Sequence, residues 1–325
     1  MNTSTETTVD RSGTISAPNA PRPTSPARRR LRRLRLRAAG VARLVWLRGS
    51  FLVLRTFAPR AAERLALDAW CTLPPGARHR YDARPEPGEI VRLPAPRSHG
   101  EIVAEVWGDP GDPVVYLVHG WGGWRGQLGA FVGPLREAGY RVVAVDAPGH
   151  GDADPGFMGP GRGTATEMIE TFHTAVRAFG EPDGVVAHSL GTTVAMAALR
   201  DGIRARRLVL LSPNPAFAEL LDTFADLLRT GGRVKARLRA QLEGITGRAI
   251  DDFDVVPAGA DGTMPDALVV HDERDAETSH AVGAAVAATW PNARLLSTQG
   301  LGHYRILGDA QVVRAAVGHL VGADD

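Results

Sequence analysis

Short apolar runs recur along residues 89–297, each bounded by glycine, proline or charged positions. They fall at 89–93, 101–107, 114–118, 141–145, 184–188, 206–211, 267–271 and 293–297. Several, such as Val114-Val115-Tyr116-Leu117-Val118 and Ala267-Leu268-Val269-Val270-His271, are apolar throughout instead of alternating. A strand of that kind is buried on both faces, as in a parallel sheet covered by helices. Between the runs, apolar residues return at helical spacing over 124–138, 164–179, 190–200, 277–289 and 308–320. Alternating strand and helix patterns predict an α/β fold with a doubly wound, mostly parallel, eight-stranded sheet. Ligands of such sheets bind outside the carboxyl ends of the strands.

Two regions depart from this rhythm. Between Ser212 and Asp266 the alternation stops; Ala216 to Leu228 and Arg233 to Leu242 read as helices, followed by a polar, acidic stretch. Before residue 88 the chain changes character altogether. As far as Pro26 it is mainly Ser, Thr, Pro and Asn, with too little apolar surface to offset the entropy of ordering. Arg28 to Arg37 then holds seven arginines in ten residues. From Val41 to Leu67 the pattern is amphipathic, with Leu44, Val45, Phe51, Leu52, Leu54 and Phe57 set between Arg43, Arg48 and Arg55. We therefore expect a disordered basic arm over 1–40, an amphipathic helical segment over 41–80, and a core in two parts, 88–213 and 263–322.

Charge sharpens the second departure. The 325-residue chain carries 38 basic and 36 acidic side chains, a net of +2. Residues 1–66 hold 14 arginines against Glu6, Asp10 and Glu63, a local +11, which leaves −9 for the remainder. Arginines interrupt every apolar run well short of the roughly 18 residues a membrane span needs. No apolar stretch followed by a small-residue cleavage site marks a secretory signal. Two readings stay open: a basic amphipathic helix on an anionic membrane surface, or a solvated arm leading into helices packed on the domain. With neither aromatic interleaving nor a helix-turn-helix pattern, no nucleic-acid partner is expected. Cys71 is the only cysteine, so no intrachain disulfide and no cysteine-based metal site can form. The expected location is cytoplasmic, with peripheral contact at the inner membrane face as the option the arm leaves open.

The candidate chemistry lies at the ends of the predicted strands. Ser189 stands in Ala187-His188-Ser189-Leu190-Gly191, directly after Val185-Val186. A serine on a sharp strand-to-helix turn presents its hydroxyl clear of the sheet, and small residues on either side let strand and helix cross closely. Ala187 stands where that motif carries glycine. The plainer alternative is that Ser189 caps the helix it precedes. After Val118 comes His119-Gly120-Trp121-Gly122-Gly123, a turn able to aim backbone N–H groups at a developing oxyanion. The strand at 141–145 ends in Asp146-Ala147-Pro148-Gly149-His150-Gly151, the one at 267–271 delivers Asp272-Glu273-Arg274-Asp275, and the last leads to Gly300-Leu301-Gly302-His303-Tyr304. Nucleophile, acid and histidine thus follow in the order Ser, Asp, His.

Together these five segments resemble the α/β-hydrolase superfamily, in its single-domain serine-esterase branch, over residues 88 to 322. The resemblance implies a small helical lid over 214–262, with Phe217, Leu220, Leu221, Phe224 and Leu227 shaping an acyl pocket that His119, Trp124, His150 and His188 help to line. Helical spacing alone would equally place those apolar residues against the main domain. The resemblance implies Ser189 as nucleophile, His303 as general base and Asp275 as the acid that orients it, with Asp272 as the other choice. The backbone N–H groups of Trp121 and Leu190 would hold the oxyanion. The activity implied is hydrolysis of a carboxylic ester with a small to medium hydrophobic group, without a cofactor. The histidines sit on separate turns without metal-ligand spacing, so no metal is expected. Thioesterase, lactonase, perhydrolase and acyltransferase chemistry share the constellation. A non-catalytic interaction protein, whether or not at a membrane surface, is the remaining alternative.

Overall fold

The computed structural model describes residues 26–74 and 81–323, with side chains from residue 38 onward. The chain divides into two units, residues 1–50 and 51–325.

The second unit is organised by one eight-stranded sheet. Its strands are β1 (Glu89–Pro94), β2 (Glu101–Trp107), β3 (Val114–Val118), β4 (Arg141–Asp146), β5 (Pro182–His188), β6 (Arg207–Leu211), β7 (Asp266–Asp272) and β8 (Ala293–Thr298). They lie in the order β1-β2-β4-β3-β5-β6-β7-β8. Pairing is antiparallel from β1 through β2 to β4 and parallel across the rest. The mixed, mostly parallel α/β sheet that the apolar runs predict is therefore present. All five residues of β3 are buried, because helices cover both faces of the strand.

The helices are α1 (Pro26–Phe57), α2 (Pro59–Cys71), α3 (Val132–Glu137), α4 (Ala165–Phe179), α5 (Leu190–Arg200), α6 (Phe217–Leu228), α7 (Gly232–Thr246), α8 (Val255–Ala258), α9 (His280–Thr289), α10 (Gly302–Arg305) and α11 (Ala310–Val321). Successive strand residues point to opposite faces. Val115, Leu117, Val142, Ala144, Val186, Val209, Leu211, Leu268 and Val270 accordingly form one core with α3, α11 and the 3-10 turn at Arg125–Phe131. On the other face Tyr116 meets Phe172 of α4 edge-on at 5.3 Å, and its hydroxyl donates to the Gly180 carbonyl at 2.7 Å.

Three expectations shift. Residues 26–40 are helical, not disordered, since the run of Arg, Leu and Ala residues is made of strong helix formers; residues 1–25 of the expected arm lie outside those described. The segment expected to be helical over 41–80 breaks at Ala58, where Pro59 starts α2, and the helix ends at Cys71; residues 75–80 also lie outside. Residues 124–138, read as one helix, are a tight 3-10 turn followed by the short α3. Its glycines are the cause: a side chain at Gly129 would fall 2.3 Å from the Arg84 amide nitrogen.

Candidate functional site

Ser189 follows β5 and precedes α5 with φ 52° and ψ −124°, a left-handed backbone that non-glycine residues adopt at a cost. Two close approaches hold it there. A Cβ on Gly191 would lie 2.4 Å from the Val118 carbonyl, and one on Gly120 would lie 2.9 Å from Ser189 Cβ. Only glycine at both positions lets α5, the β3 turn and the serine meet so tightly. The Ser189 hydroxyl does not cap α5, which removes the plainer reading of this residue. It opens instead onto a cavity of about 290 Å³.

His303 lies on α10, at the turn after β8, and its side chain is 5% exposed. Its Nδ1–H donates to Asp275 Oδ2 at 2.8 Å. Asp275 is fully buried and densely solvated by protein. Its Oδ1 accepts from the amides of Glu277 at 2.8 Å and Thr278 at 3.0 Å, and its Oδ2 from Thr278 Oγ1 at 3.2 Å. His271 Nε2 stands 3.6 Å from Oδ2. Burial pushes the carboxyl up, but the adjacent His271 ring and the hydrogen bonds from His303 and the two amides outweigh it and hold the acid well below the usual carboxylate range. An ionised partner on Nδ1 fixes the tautomer that leaves Nε2 as a base.

Asp272, three residues earlier, is engaged differently. It accepts from the amides of Arg274 at 2.9 Å, Gly300 at 3.2 Å and Leu301 at 2.8 Å, and from Thr298 Oγ1 at 2.8 Å. Its carboxylate ties the end of β7 to the loop that carries His303. Of the two acids, Asp275 is the one that reaches the imidazole.

The turn after β3 is fastened by a buried charge network. Arg125 donates to Glu105 Oε2 at 2.8 Å, to Asp152 Oδ2 at 2.9 Å and to Asp146, whose Oδ1 also accepts the Arg125 amide at 2.7 Å. Arg84 joins Glu105 at 2.7 Å. Buried arginines at bidentate distance hold geometry well because both ends are satisfied. Neither the Trp121 nor the Leu190 amide donates to another backbone group among the described residues.

The cavity wall comes from distant parts of the chain. Ser189, Leu190 and Trp121 border it on the sheet side, with Gly163, Thr164 and Thr166 at the start of α4. Phe217, Leu220, Leu242, Ile245, Ile250 and Phe253 come from the segment between β6 and β7. Trp70 and Cys71 come from α2, which no motif had marked. Trp70 meets Phe224 edge-on at 5.2 Å, and the Cys71 carbonyl accepts from the Gly163 amide at 3.0 Å. Burial, reinforced by the Glu167 and Asp68 carboxylates, pushes the Cys71 thiol up to about 12, so it serves as wall and not as nucleophile.

Among the residues expected in the pocket, Leu227 is exposed, whereas Phe217 and Leu220 line the cavity. Leu221 is buried beside it, and Phe224 stands behind Trp70. Trp124 is fully buried, with the Arg84 guanidinium 4.8 Å and that of Arg125 5.5 Å from its ring centre. His119 and His150 lie 5.0 Å apart; His119 Nδ1 donates to the Gly120 carbonyl at 2.8 Å. His188 stacks 4.6 Å from His303 and donates from Nε2 to the His303 carbonyl at 3.0 Å. Each of these three histidines hydrogen-bonds a backbone carbonyl, and none lines the cavity. Burial pushes His119 down and takes His150 and His188 to about 3, keeping all three neutral. Among the described residues no cluster of three or more His, Cys, Asp or Glu could hold a metal ion.

A model of the alpha/beta hydrolase family matches residues 115–316, and the chain belongs to that family. By that membership it is a hydrolase in class. Comparison with curated protein sequences finds no match. Among solved structures it is similar to a hydrolase from Pseudomonas aeruginosa PA01, at 23% identity and TM-score 0.53 over 72% of this chain and 99% of that one. It is also similar to an esterase from Exiguobacterium antarcticum, at 16% identity and TM-score 0.54 over 71% and 99%. A thermophilic esterase from Thermogutta terrifontis gives 19% identity and TM-score 0.51 over 70% and 97%. At these identities the likeness is one of fold.

Proposed function

We propose that this chain is a serine hydrolase that cleaves carboxylic esters with a small to medium hydrophobic group. Ser189 Oγ attacks the acyl carbonyl while His303 Nε2 takes its proton. The Trp121 and Leu190 amides stabilise the oxyanion, and His303 then protonates the leaving alcohol. Water, deprotonated by His303, releases the acid from the acyl-enzyme. Asp275 stays ionised throughout, orients the imidazole and stabilises the imidazolium. The helices over 214–262 act as a lid that supplies the apolar wall.

One observation carries this reading: a strained, uncapped Ser189 opens on an apolar cavity while His303, on the neighbouring turn, is held at 2.8 Å by a buried carboxylate. The test is labelling with a fluorophosphonate, mapped by peptide mass, in wild type and Ser189→Ala. Labelling at Ser189 that disappears in the variant supports the proposal. Folded wild type that resists the reagent, and also fails to turn over a short p-nitrophenyl ester panel, overturns it.

A further inference from the structure

Helix α1 has a composition that nothing in the hydrolase reading uses. Between Pro26 and Phe57 it carries ten arginines and no acidic residue. It also holds six of the eleven large hydrophobic side chains exposed among the described residues: Val41, Val45, Trp46, Leu52, Val53 and Phe57. Trp46 is 61% and Phe57 82% exposed. Scattered surface hydrophobics are ordinary, but six within 17 residues of one helix mark an interaction surface.

We infer that α1 is a peripheral membrane anchor, its arginines pairing with anionic lipid headgroups while Trp46, Phe57 and the exposed aliphatic side chains enter the boundary between headgroups and acyl chains. Charge and apolarity together choose the occupant. Nucleic acid would satisfy the arginines and leave six apolar side chains in water. An anionic bilayer offers a layer of phosphates and, a few ångströms beneath it, an apolar layer that needs no shape match. Long arginine side chains reach from an immersed helix back to the headgroups, and an aromatic such as Trp46 suits the interface. No described helix is long and apolar enough to cross a membrane, so the helix lies on the surface. The inference uses α1 alone and stands or falls apart from the role of Ser189.

The test is co-sedimentation of the full chain with vesicles, either phosphatidylglycerol mixed into phosphatidylcholine or phosphatidylcholine alone, at low and at about 0.5 M salt (screening length about 4 Å). Binding to the anionic vesicles should exceed that to neutral ones by more than about tenfold and weaken with salt. The double variant Trp46→Ser with Phe57→Ser should lose about tenfold or more with an unchanged thermal midpoint, since both side chains are already in water. A second variant, with Arg32, Arg33, Arg35 and Arg37 replaced by Gln, should lose binding through charge alone. Equal partition onto neutral and anionic vesicles overturns the proposal. So does either variant binding like wild type, or tighter binding to a single-stranded RNA than to anionic vesicles at the same salt.

Discussion

The turns after β3 and β5 and the helical wall meet at one cavity, but the strand-end turns and the wall are built on different terms. The turns are short, carry polar side chains, and have each group fixed twice, by strand register and by hydrogen bonds. Ser189, Asp275 and His303 follow β5, β7 and β8, three strands of the parallel run β5-β6-β7-β8. The wall is apolar, comes from α2, α6 and α7, and is held by packing such as Trp70 against Phe224. A site of this kind separates reaction from selection. Substitutions in the turns should destroy rate, and substitutions in the wall should change which substrate is preferred.

The sharpest way to break that comparison is at the two acids of one loop. Asp275→Asn should lower kcat by roughly 10⁴, because the amide cannot hold the required tautomer. Asp272→Asn should leave far more of the rate and cost about 1–3 kcal/mol of stability instead, as its backbone donors lose a charged acceptor. Steady-state kinetics with paired denaturant melts separates the two. Next comes Gly120→Ala, whose new methyl would sit 2.9 Å from Ser189 Cβ. It should reduce kcat by about 10²–10³, the effect of spoiling one oxyanion donor, with KM changed little.

On the wall, Trp70→Ala should move the chain-length optimum of p-nitrophenyl esters to longer acyl groups. The discrimination between neighbouring lengths should change by about 10-fold or more, on the scale of a methylene in an apolar pocket, while fluorophosphonate labelling persists. An unchanged length profile would remove α2 from the pocket.

The smallest effect concerns pH. His150 and His188 are taken from 6.5 to about 3 in the fold, so the unfolded chain binds their protons first as pH falls. Stability should decline as pH drops from about 6.5 towards 3, by about 1.4 kcal/mol per pH unit for each imidazole. Asp272 and Asp275 are held low; their contribution is complete above about pH 4 and is lost only below it. His188→Gln should flatten the upper part of the decline and leave the part below pH 4 in place, as read by chemical melts across pH.

What the sequence disclosed follows the same division. The strands were legible because a sheet buried on both faces demands continuous apolar runs, and the turns were legible because Gly120, Ser189 and Gly191 answer backbone geometry that few residues tolerate. The preference for Asp275 over Asp272 came from the resemblance alone; two aspartates three residues apart differ in which donors the loop turns toward them, and only the structure displays those donors. The α2 part of the wall was hidden for another reason. Trp70 lies 119 positions before Ser189, and an aromatic on an amphipathic helix carries no mark of what it will face. His119, His150 and His188 misled for the converse reason: a polar ring beside a reactive turn reads as pocket lining, yet each is spent on bracing backbone.

The central claim is that a covalent acyl group forms on Ser189 and that the His303–Asp275 pair drives its formation. Intact-protein mass spectrometry after rapid mixing with a p-nitrophenyl ester tests it directly. A mass increase equal to the acyl group, mapped to the peptide holding Ser189, should form in wild type and be absent in His303→Ala. Turnover by Ser189→Ala at the wild-type rate, or an acyl adduct on any other residue, would contradict it.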